Sequence, residues 1–117
     1  MIRVVVEREI KNWEDTGHLL RNLHMIAVLQ KGHISNETLI NVGNNRVITV
    51  MSAWQSLDDW RAWEASKERA EILRQIEPLL AKKTRVAIYE MISPADFDYY
   101  VDPESWMQEH EHPHFEG

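Results

Sequence analysis

The sequence predicts one α+β domain with the element order β-α-β-β-α-β. The chain has 117 residues, enough for one hydrophobic core but not for two. Short runs of β-branched residues alternate with segments in which apolar residues recur every three or four positions, which indicates strands and helices in turn. A turn rich in glycine and asparagine separates the two central strands and predicts that they form a hairpin.

The first half of the chain predicts a strand, a helix and the hairpin. Residues Ile2–Arg8 contain three consecutive valines, which are typical of a strand covered on both faces. A helix is expected over Trp13–Gln30, where leucines and isoleucines share one stripe, and Gly32 lies at its stop. Strands over His33–Val42 and Val47–Trp54 form the hairpin.

The second half predicts two short helices and a last strand. Ser56 has an aspartate three residues later, as in a capping box, and precedes a helix over Leu57–Ala65. Ser66 caps a second helical segment, which Pro78 interrupts. A final strand is expected over Thr84–Met91, where apolar residues occur at both odd-numbered and even-numbered positions.

This element order is that of the ferredoxin-like sandwich, in which two helices cover one face of a four-stranded antiparallel sheet. Both faces of Val47–Trp54 are nevertheless largely apolar. We therefore expect a second copy of the chain to cover the other face. The predicted interface residues are Val5, Ile48 and Val50 or their neighbours on the same face.

Residues 93–117 are predicted to form a tail outside the domain of residues 1–92, partly packed against a neighbouring subunit and loose at its end. The tail contains His110, His112 and His114, whose spacing would place three imidazoles on one side of an extended chain. Ordering a loose terminus around a metal ion costs entropy for each ligand. We therefore expect an unstructured acidic tail and no metal site.

Composition argues against several classes of function. The net charge of −6 leaves no basic surface for nucleic acid or for an anionic membrane, and no apolar stretch is long enough to span a bilayer. The absence of cysteine excludes disulfides, thiolate metal sites and a cysteine nucleophile, and it suits a reducing compartment. The N-terminus lacks the apolar run of a signal peptide. We expect a cytoplasmic protein.

Three blocks of sequence resemble the antibiotic biosynthesis monooxygenase family: Gly32–Glu37, Thr49–Ser66 and Val86–Glu90. The middle block is the most specific, because a strand that ends in tryptophan is followed by Ser-x-x-Asp-Trp-x-x-Trp-x-x-Ser. The resemblance covers about residues 1–91 and implies a dimeric α+β barrel, in which the sheets of two ferredoxin-like subunits face each other. It also implies either oxygenation of quinones and quinols without a cofactor, or degradation of haem.

The family that the sequence resembles includes a haem-degrading branch. The site of that branch contains an asparagine on the first strand, a tryptophan and a histidine about ten residues after the tryptophan. Trp63 matches the tryptophan, but Leu73 stands in place of the histidine. The first strand offers Glu7 or Glu9 where the asparagine would be. Because haem iron needs an axial ligand such as imidazole, we expect no haem and no other cofactor, and haem degradation is the least favoured activity.

Oxygenation of a quinol without a cofactor requires a base, a donor for the developing oxyanion and a dry aromatic pocket. We predict His33 as the base, because it stands at a strand entrance beside the cleft, with Glu37 and Glu7 as further catalytic candidates. His18 and His24 are alternative bases. A lone histidine at a strand end is more often simply solvated or hydrogen-bonded, and a glutamate in a strand more often pairs with an arginine.

Trp54, Trp60 and Trp63 are predicted to bind the substrate by stacking on a planar ring. The alternative is that they pack the core between the short helix and the sheet, which helical spacing already explains for Trp60. Two functions stay open. One is a cofactor-independent monooxygenase for a small aromatic or quinol-like substrate; the other is a non-catalytic homodimer that binds a hydrophobic ligand or a protein in the same cleft.

Overall fold

A computed structural model of the chain describes residues 1–101 and contains one four-stranded antiparallel sheet in the order β2-β3-β1-β4. The strands are β1 (Ile2–Glu9), β2 (His33–Ile40), β3 (Val47–Trp54) and β4 (Arg85–Glu90). The helices are α1 (Trp13–Ala27), α2 (Leu57–Glu64), α3 (Lys67–Ile76) and α4 (Phe97–Val101), with 3-10 turns at Glu77–Leu79 and Pro94–Asp96. The predicted element order and the ferredoxin-like fold are confirmed.

The register of the sheet sorts the residues of β1 onto two faces. Val4 pairs with Ser52 on one side and with Ile88 on the other. Because side chains alternate along a strand, Val4 and Arg8 share one face with the residues buried under α1–α3, here named the helix-covered face. Val5 and Glu7 lie on the opposite side, here named the open face.

The hydrophobic core lies between the helix-covered face and the three long helices. Each helix contributes two buried apolar residues to it, and the strands contribute the rest. The helical members are Leu19 and Leu23 of α1, Trp60 and Trp63 of α2, and Ile72 and Ile76 of α3. Burial of one such side chain contributes roughly 1.5–3 kcal/mol, so this layer supplies most of the apolar stabilisation of the domain.

The helix boundaries follow local capping. Asn12 accepts a hydrogen bond from the backbone amide of Asp15 at 2.8 Å and starts α1. The helix ends at Ala27, before the predicted Gln30, because the amides of Leu29 and Gln30 bond to carbonyls only three residues back and tighten the chain into a turn. Gly32 closes this turn with a φ of 83°, and a side chain there would collide with that of Asp59.

Both serine caps predicted for the second half are present. Ser56 Oγ accepts from the Asp59 amide at 3.1 Å, and Ser66 Oγ accepts from the Arg69 amide at 3.2 Å. The α3 helix ends just before the 3-10 turn that contains Pro78, which lacks the amide hydrogen needed to continue an α-helix. These caps set where α2 and α3 cross the sheet.

The register corrects part of the predicted dimer interface. Ile48 and Val50 belong to the helix-covered face, where Ile48 is 5% exposed and Val50 lines a cavity. Val5 alone of the three residues lies on the open face, paired with Met51 and Ala87. The error arose because an apolar strand shows no alternation, so its sequence does not reveal which parity faces the helices.

Part of the predicted tail has local structure. A 3-10 turn and α4 follow Ser93, whose amide donates to the Asp96 carboxylate at 2.9 Å. Packing of the tail on a neighbouring subunit stays a prediction, and His110, His112 and His114 lie outside the described residues. Within residues 1–101, no helix has both the length and the apolar character needed to cross a membrane.

Candidate functional site

A cavity of about 330 Å³ lies between the helix-covered face and helices α1–α3, and it is here named the aromatic cavity. Its volume is near the lower end of the range for small-molecule sites. Aliphatic side chains form much of its wall, namely those of Val6, Leu20, Leu23, Ile48 and Val50. The shape and polarity suit a small, largely apolar molecule.

Trp54, Trp60 and Trp63 all line the aromatic cavity, so the structure brings the three predicted ring-binding residues together. Trp54 is 1% exposed, and its Nε1 donates to Ser52 Oγ at 2.9 Å. The Trp60 ring meets Trp54 edge-on, with 5.7 Å between centroids. These residues are also members of the core, and the two interpretations are compatible because the cavity opens within the core layer.

Trp13 is a lining residue that the sequence analysis did not identify. Its indole Nε1 donates to the carbonyl oxygen of Asn45 at 2.9 Å. This bond joins the start of α1 to the turn between β2 and β3 and holds one wall of the aromatic cavity in place. A tryptophan at a helix boundary gives no periodic signal, and this contact spans 32 residues of sequence.

Arg8 is a buried cation that borders the aromatic cavity. The residue is 5% exposed, and its Nε is buried without a hydrogen-bond partner. No side chain within residues 1–101 forms an ion pair with it. Burial, and then the nearby charge of Arg69, lower the pKa of Arg8 to about 10, so the guanidinium stays charged at neutral pH.

Arg69 stands beside Arg8 and covers Trp60. Its guanidinium carbon lies 5.5 Å from the Trp60 ring centroid, and its Nη1 donates to the carbonyl oxygen of Glu64 at 3.4 Å. Burial lowers the pKa of Arg69, and the charge of Glu64 partly opposes this. The Trp60 Nε1 is also buried with no acceptor among the described residues.

A second cavity, of about 600 Å³, lies on the other side of Arg8 and Arg69, and it is here named the polar cavity. The two arginines are shared by both cavities and stand at the boundary between them. The polar cavity is also lined by two lysines and two glutamates, namely Lys82, Lys83, Glu64 and Glu77. The positive charge that a molecule in the aromatic cavity meets at this end is that of Arg8 and Arg69.

His24 and Asn36 lie together at the exposed edge of the aromatic cavity, and both line it. Asn36 Nδ2 and His24 Nδ1 are 2.7 Å apart. The contact holds the imidazole ring against β2 through one nitrogen and leaves Nε2 free of this contact. His24, weighed as an alternative base, is thus the histidine that lines the cavity, whereas His18 is exposed on α1.

His33, the base predicted from the sequence, is not a lining residue of the aromatic cavity. Its ring packs edge-on against Trp54, with centroids 5.2 Å apart, and its Nε2 is buried without a partner among the described residues. Desolvation lowers the pKa of His33, the Asn36 amide raises it, and the charge of His24 lowers it further. His33 is therefore neutral at neutral pH.

Glu7 and Glu37 lie on the open face, separated from the three tryptophans by the sheet. Glu7 Oε2 is 3.6 Å from Arg85 Nη1, and Glu37 Oε1 is 3.8 Å from Arg3 Nη1. The structure therefore separates Glu7 and Glu37 from the predicted ring-binding residues, whereas His33 contacts Trp54 without lining the aromatic cavity. A catalytic role for His33, Glu37 or Glu7 stays a prediction.

Neither a metal ion nor haem finds a matching set of ligands in the described part of the chain. Residues 1–101 hold no group of three His, Asp or Glu side chains placed to bind a metal ion. Leu73, which replaces the haem-ligating histidine in the resemblance, lines the polar cavity and carries no donor atom. The residues present therefore do not fit haem in that arrangement.

Comparison with known proteins gives one family and a consistent fold. Residues 1–75 match the model of the family described as antibiotic biosynthesis monooxygenase. No curated protein sequence matches the chain. A conserved protein from Methanosarcina mazei superposes with a TM-score of 0.72 at 22% identity, covering 78% of this chain and 92% of that one.

Two further solved structures share the fold. SnoaB of Streptomyces nogalater, a cofactor-independent oxygenase, gives a TM-score of 0.71 at 10% identity over 79% of this chain and 93% of its own. A protein from Nitrosomonas europaea assigned to the antibiotic biosynthesis monooxygenases gives 0.70 at 14% identity over 80% and 100%. At these identities the superpositions establish the fold alone.

Proposed function

The chain belongs to the antibiotic biosynthesis monooxygenase family, and on this premise we propose that it is a cofactor-independent monooxygenase of a small aromatic, quinol-like substrate. The observation that carries the proposal is the aromatic cavity, whose volume of about 330 Å³ and three tryptophans suit one or two planar rings. The largely apolar walls limit the contact of a reactive anion with water.

The reaction needs no metal ion if the substrate supplies the electrons. A base removes a proton from the quinol or anthrone, and the resulting carbanion forms a bond to dioxygen. One oxygen atom then becomes a carbonyl oxygen of the product, and the other leaves as water. The protein contributes the proton transfer and the dry, preorganised pocket.

His24 is the residue we assign to the proton transfer, because it lines the cavity while His33 packs behind Trp54. Asn36 contacts His24 Nδ1 and thereby orients the ring. When the Asn36 amide turns its oxygen toward Nδ1–H, the lone pair of Nε2 is free to accept a proton from the substrate. Exposure of His24 at the edge of the cavity lets it pass that proton to water.

Oxygen uptake tests the activity and its base together. After exhaustive chelation, the purified protein should consume dioxygen with a dihydroxynaphthalene or an anthrone. The His24→Ala variant should lose about 100-fold in turnover, the scale of a general base, while His33→Ala, Glu7→Gln and Glu37→Gln retain most of theirs. Loss in His33→Ala with a fully active His24→Ala would return the base to the residue predicted from sequence.

The competing function, a non-catalytic binding protein, uses the same cavity. It would be favoured if aromatic ligands bind but no substrate of a broad set gives uptake above the buffer rate. In either case we place the homodimer interface on the open face, around Val5, Met51 and Ala87, because these apolar side chains are only half-buried in a single chain.

A further inference from the structure

The buried Arg8 is costly for the folded chain as it stands. Removal of a guanidinium from water is unfavourable unless hydrogen bonds and an opposite charge replace the lost hydration. Arg8 has neither within the described residues, and the charge that acts on it there is the like charge of Arg69. The polar end of such a residue is normally matched by a partner, and residues 1–101 supply none.

The neighbouring carboxylates are held elsewhere. Glu64 touches Arg69 only through its backbone carbonyl, while its carboxylate pairs with Arg61 Nη1 at 2.8 Å. Glu9 lies 3.7 Å from Lys82 Nζ. Among residues 1–101, no carboxylate therefore forms an ion pair with Arg8 or Arg69, although the charge of Glu64 acts on Arg69 from a longer distance.

The positive charge of the two arginines lies at one end of the aromatic cavity. Arg8 and Arg69 stand where the aromatic cavity meets the polar cavity, and Trp60 presents an unpartnered buried Nε1 in the same wall. Three groups that donate hydrogen bonds thus line the cavity, whose remaining walls are largely aromatic and aliphatic but also contain the polar side chains of Arg21, His24, Asn36, Thr38 and Ser52. Such an arrangement complements a molecule with a flat apolar body and an anionic end.

We infer that the natural ligand carries a carboxylate on its aromatic ring, and that Arg8 and Arg69 bind this carboxylate while the ring lies against Trp54 and Trp60. The inference rests on the proposed function only in placing an aromatic molecule in the cavity. A carboxylate suits the site because the planar guanidinium fork matches its two oxygens. The cavity volume limits the body to one or two rings.

Calorimetric titration with two matched probes tests the inference. The probes are 2-naphthoate and 2-naphthamide, which share shape and differ in charge. The wild-type chain should bind 2-naphthoate at least about tenfold more tightly, because charge-assisted hydrogen bonds to a desolvated guanidinium are about twice as strong as neutral ones. Equal affinities would overturn the inference.

Substitutions of single arginines test which residue causes the preference for 2-naphthoate. Arg8→Met should lower the preference for the charged probe at least about threefold, because one of the two charge-assisted contacts is lost, and circular dichroism should show that the variant is folded. Arg46→Met, at an exposed arginine before β3, is the matched control and should keep the full preference. A folded Arg8→Met chain that keeps the full preference for 2-naphthoate would contradict the assignment.

Arg69→Met provides a second arm if Arg8→Met does not fold. It should lower the preference at least about threefold, since one of the two charge-assisted contacts is lost. The outcomes also separate the two proposals. Equal binding of both probes would reject the carboxylate inference and support the aromatic binding site. Binding of neither probe would reject the aromatic binding site as well. Tight binding of 2-naphthoate, with no dioxygen consumption when quinols are added, would reject only the proposed oxygenase activity.

Discussion

The two faces of the sheet differ in the kind of polar residue that they carry. On the helix-covered face, Arg8 is buried beside three tryptophans with no ion-pair partner within residues 1–101. On the open face, Glu7 and Glu37 are paired with arginines near the surface. Exposed pairs of this kind contribute only about 0–1 kcal/mol, whereas an unpaired buried charge is costly. The helix-covered face, where the unpaired buried charge lowers the stability of the fold, is thus the face suited to ligand binding.

The largest effect should come from removing the largest fully buried side chain of the helix-covered face. Trp54→Ala should lower the free energy of unfolding by about 3–5 kcal/mol, because a fully buried indole leaves a cavity behind. Leu29→Ala, at a position that is 82% exposed, should change it by less than about 0.5 kcal/mol. Urea denaturation measures both. A Trp54→Ala loss below about 1 kcal/mol would show that this face is not the principal core.

The open face is tested by a charge placed among its apolar side chains. Val5→Asp should give a particle of 13.8 kDa by light scattering, where the wild-type chain gives twice that mass, because the interface would have to remove a new carboxylate from water. Val42→Asp makes the same substitution at a fully exposed loop position and should leave the dimer intact. A wild-type mass of one chain at micromolar concentration would remove the proposed interface.

Replacement of Arg8 should stabilise the ligand-free fold and weaken the proposed ligand binding. Arg8→Met should raise the free energy of unfolding of the ligand-free protein by about 1 kcal/mol, since an apolar side chain of similar length replaces an unpaired buried cation. Arg46→Met should stay within about 0.5 kcal/mol of wild type. A marked destabilisation by Arg8→Met would mean that the guanidinium has a stabilising partner in the folded chain.

The smallest effect concerns His33. Its pKa is lowered below the ordinary value of 6.5 in the folded chain, so the unfolded chain takes up the proton first as the pH falls. Stability should therefore decrease as the pH falls below 6.5, and His33→Gln should remove that part of the decrease. Thermal unfolding at several pH values measures the difference. A wild-type chain that gains stability on acidification relative to His33→Gln would contradict the sign.

Much of the fold could be predicted because its signals are local. Ser56 and Ser66 mark two helix starts, and the turn before Val47 marks the hairpin, since each depends only on neighbouring residues. The three tryptophans line one cavity, because Trp60 and Trp63 share one face of a short helix that follows Trp54, and their role in substrate binding stays a prediction.

The rest of the site depends on register and on distant contacts. Glu7 and Arg8 are adjacent in sequence yet lie on opposite faces, and three valines before them hide the alternation that would have assigned each one. His24 meets Asn36 only because α1 packs over β2. Arg69 joins Arg8 from another element, 61 positions later in the printed sequence. No periodicity within one segment contains this information.

The most direct test of the difference between the faces is a crystal structure of the protein with 2-naphthoate. We expect the naphthalene ring to lie between α1 and the sheet, against Trp54 and Trp60, with the carboxylate within hydrogen-bond distance of the Arg8 guanidinium. Glu7 and Glu37 should keep their arginine partners on the open face. A ligand bound on the open face, or a ring in the aromatic cavity with its carboxylate turned to solvent beside His24, would contradict this expectation.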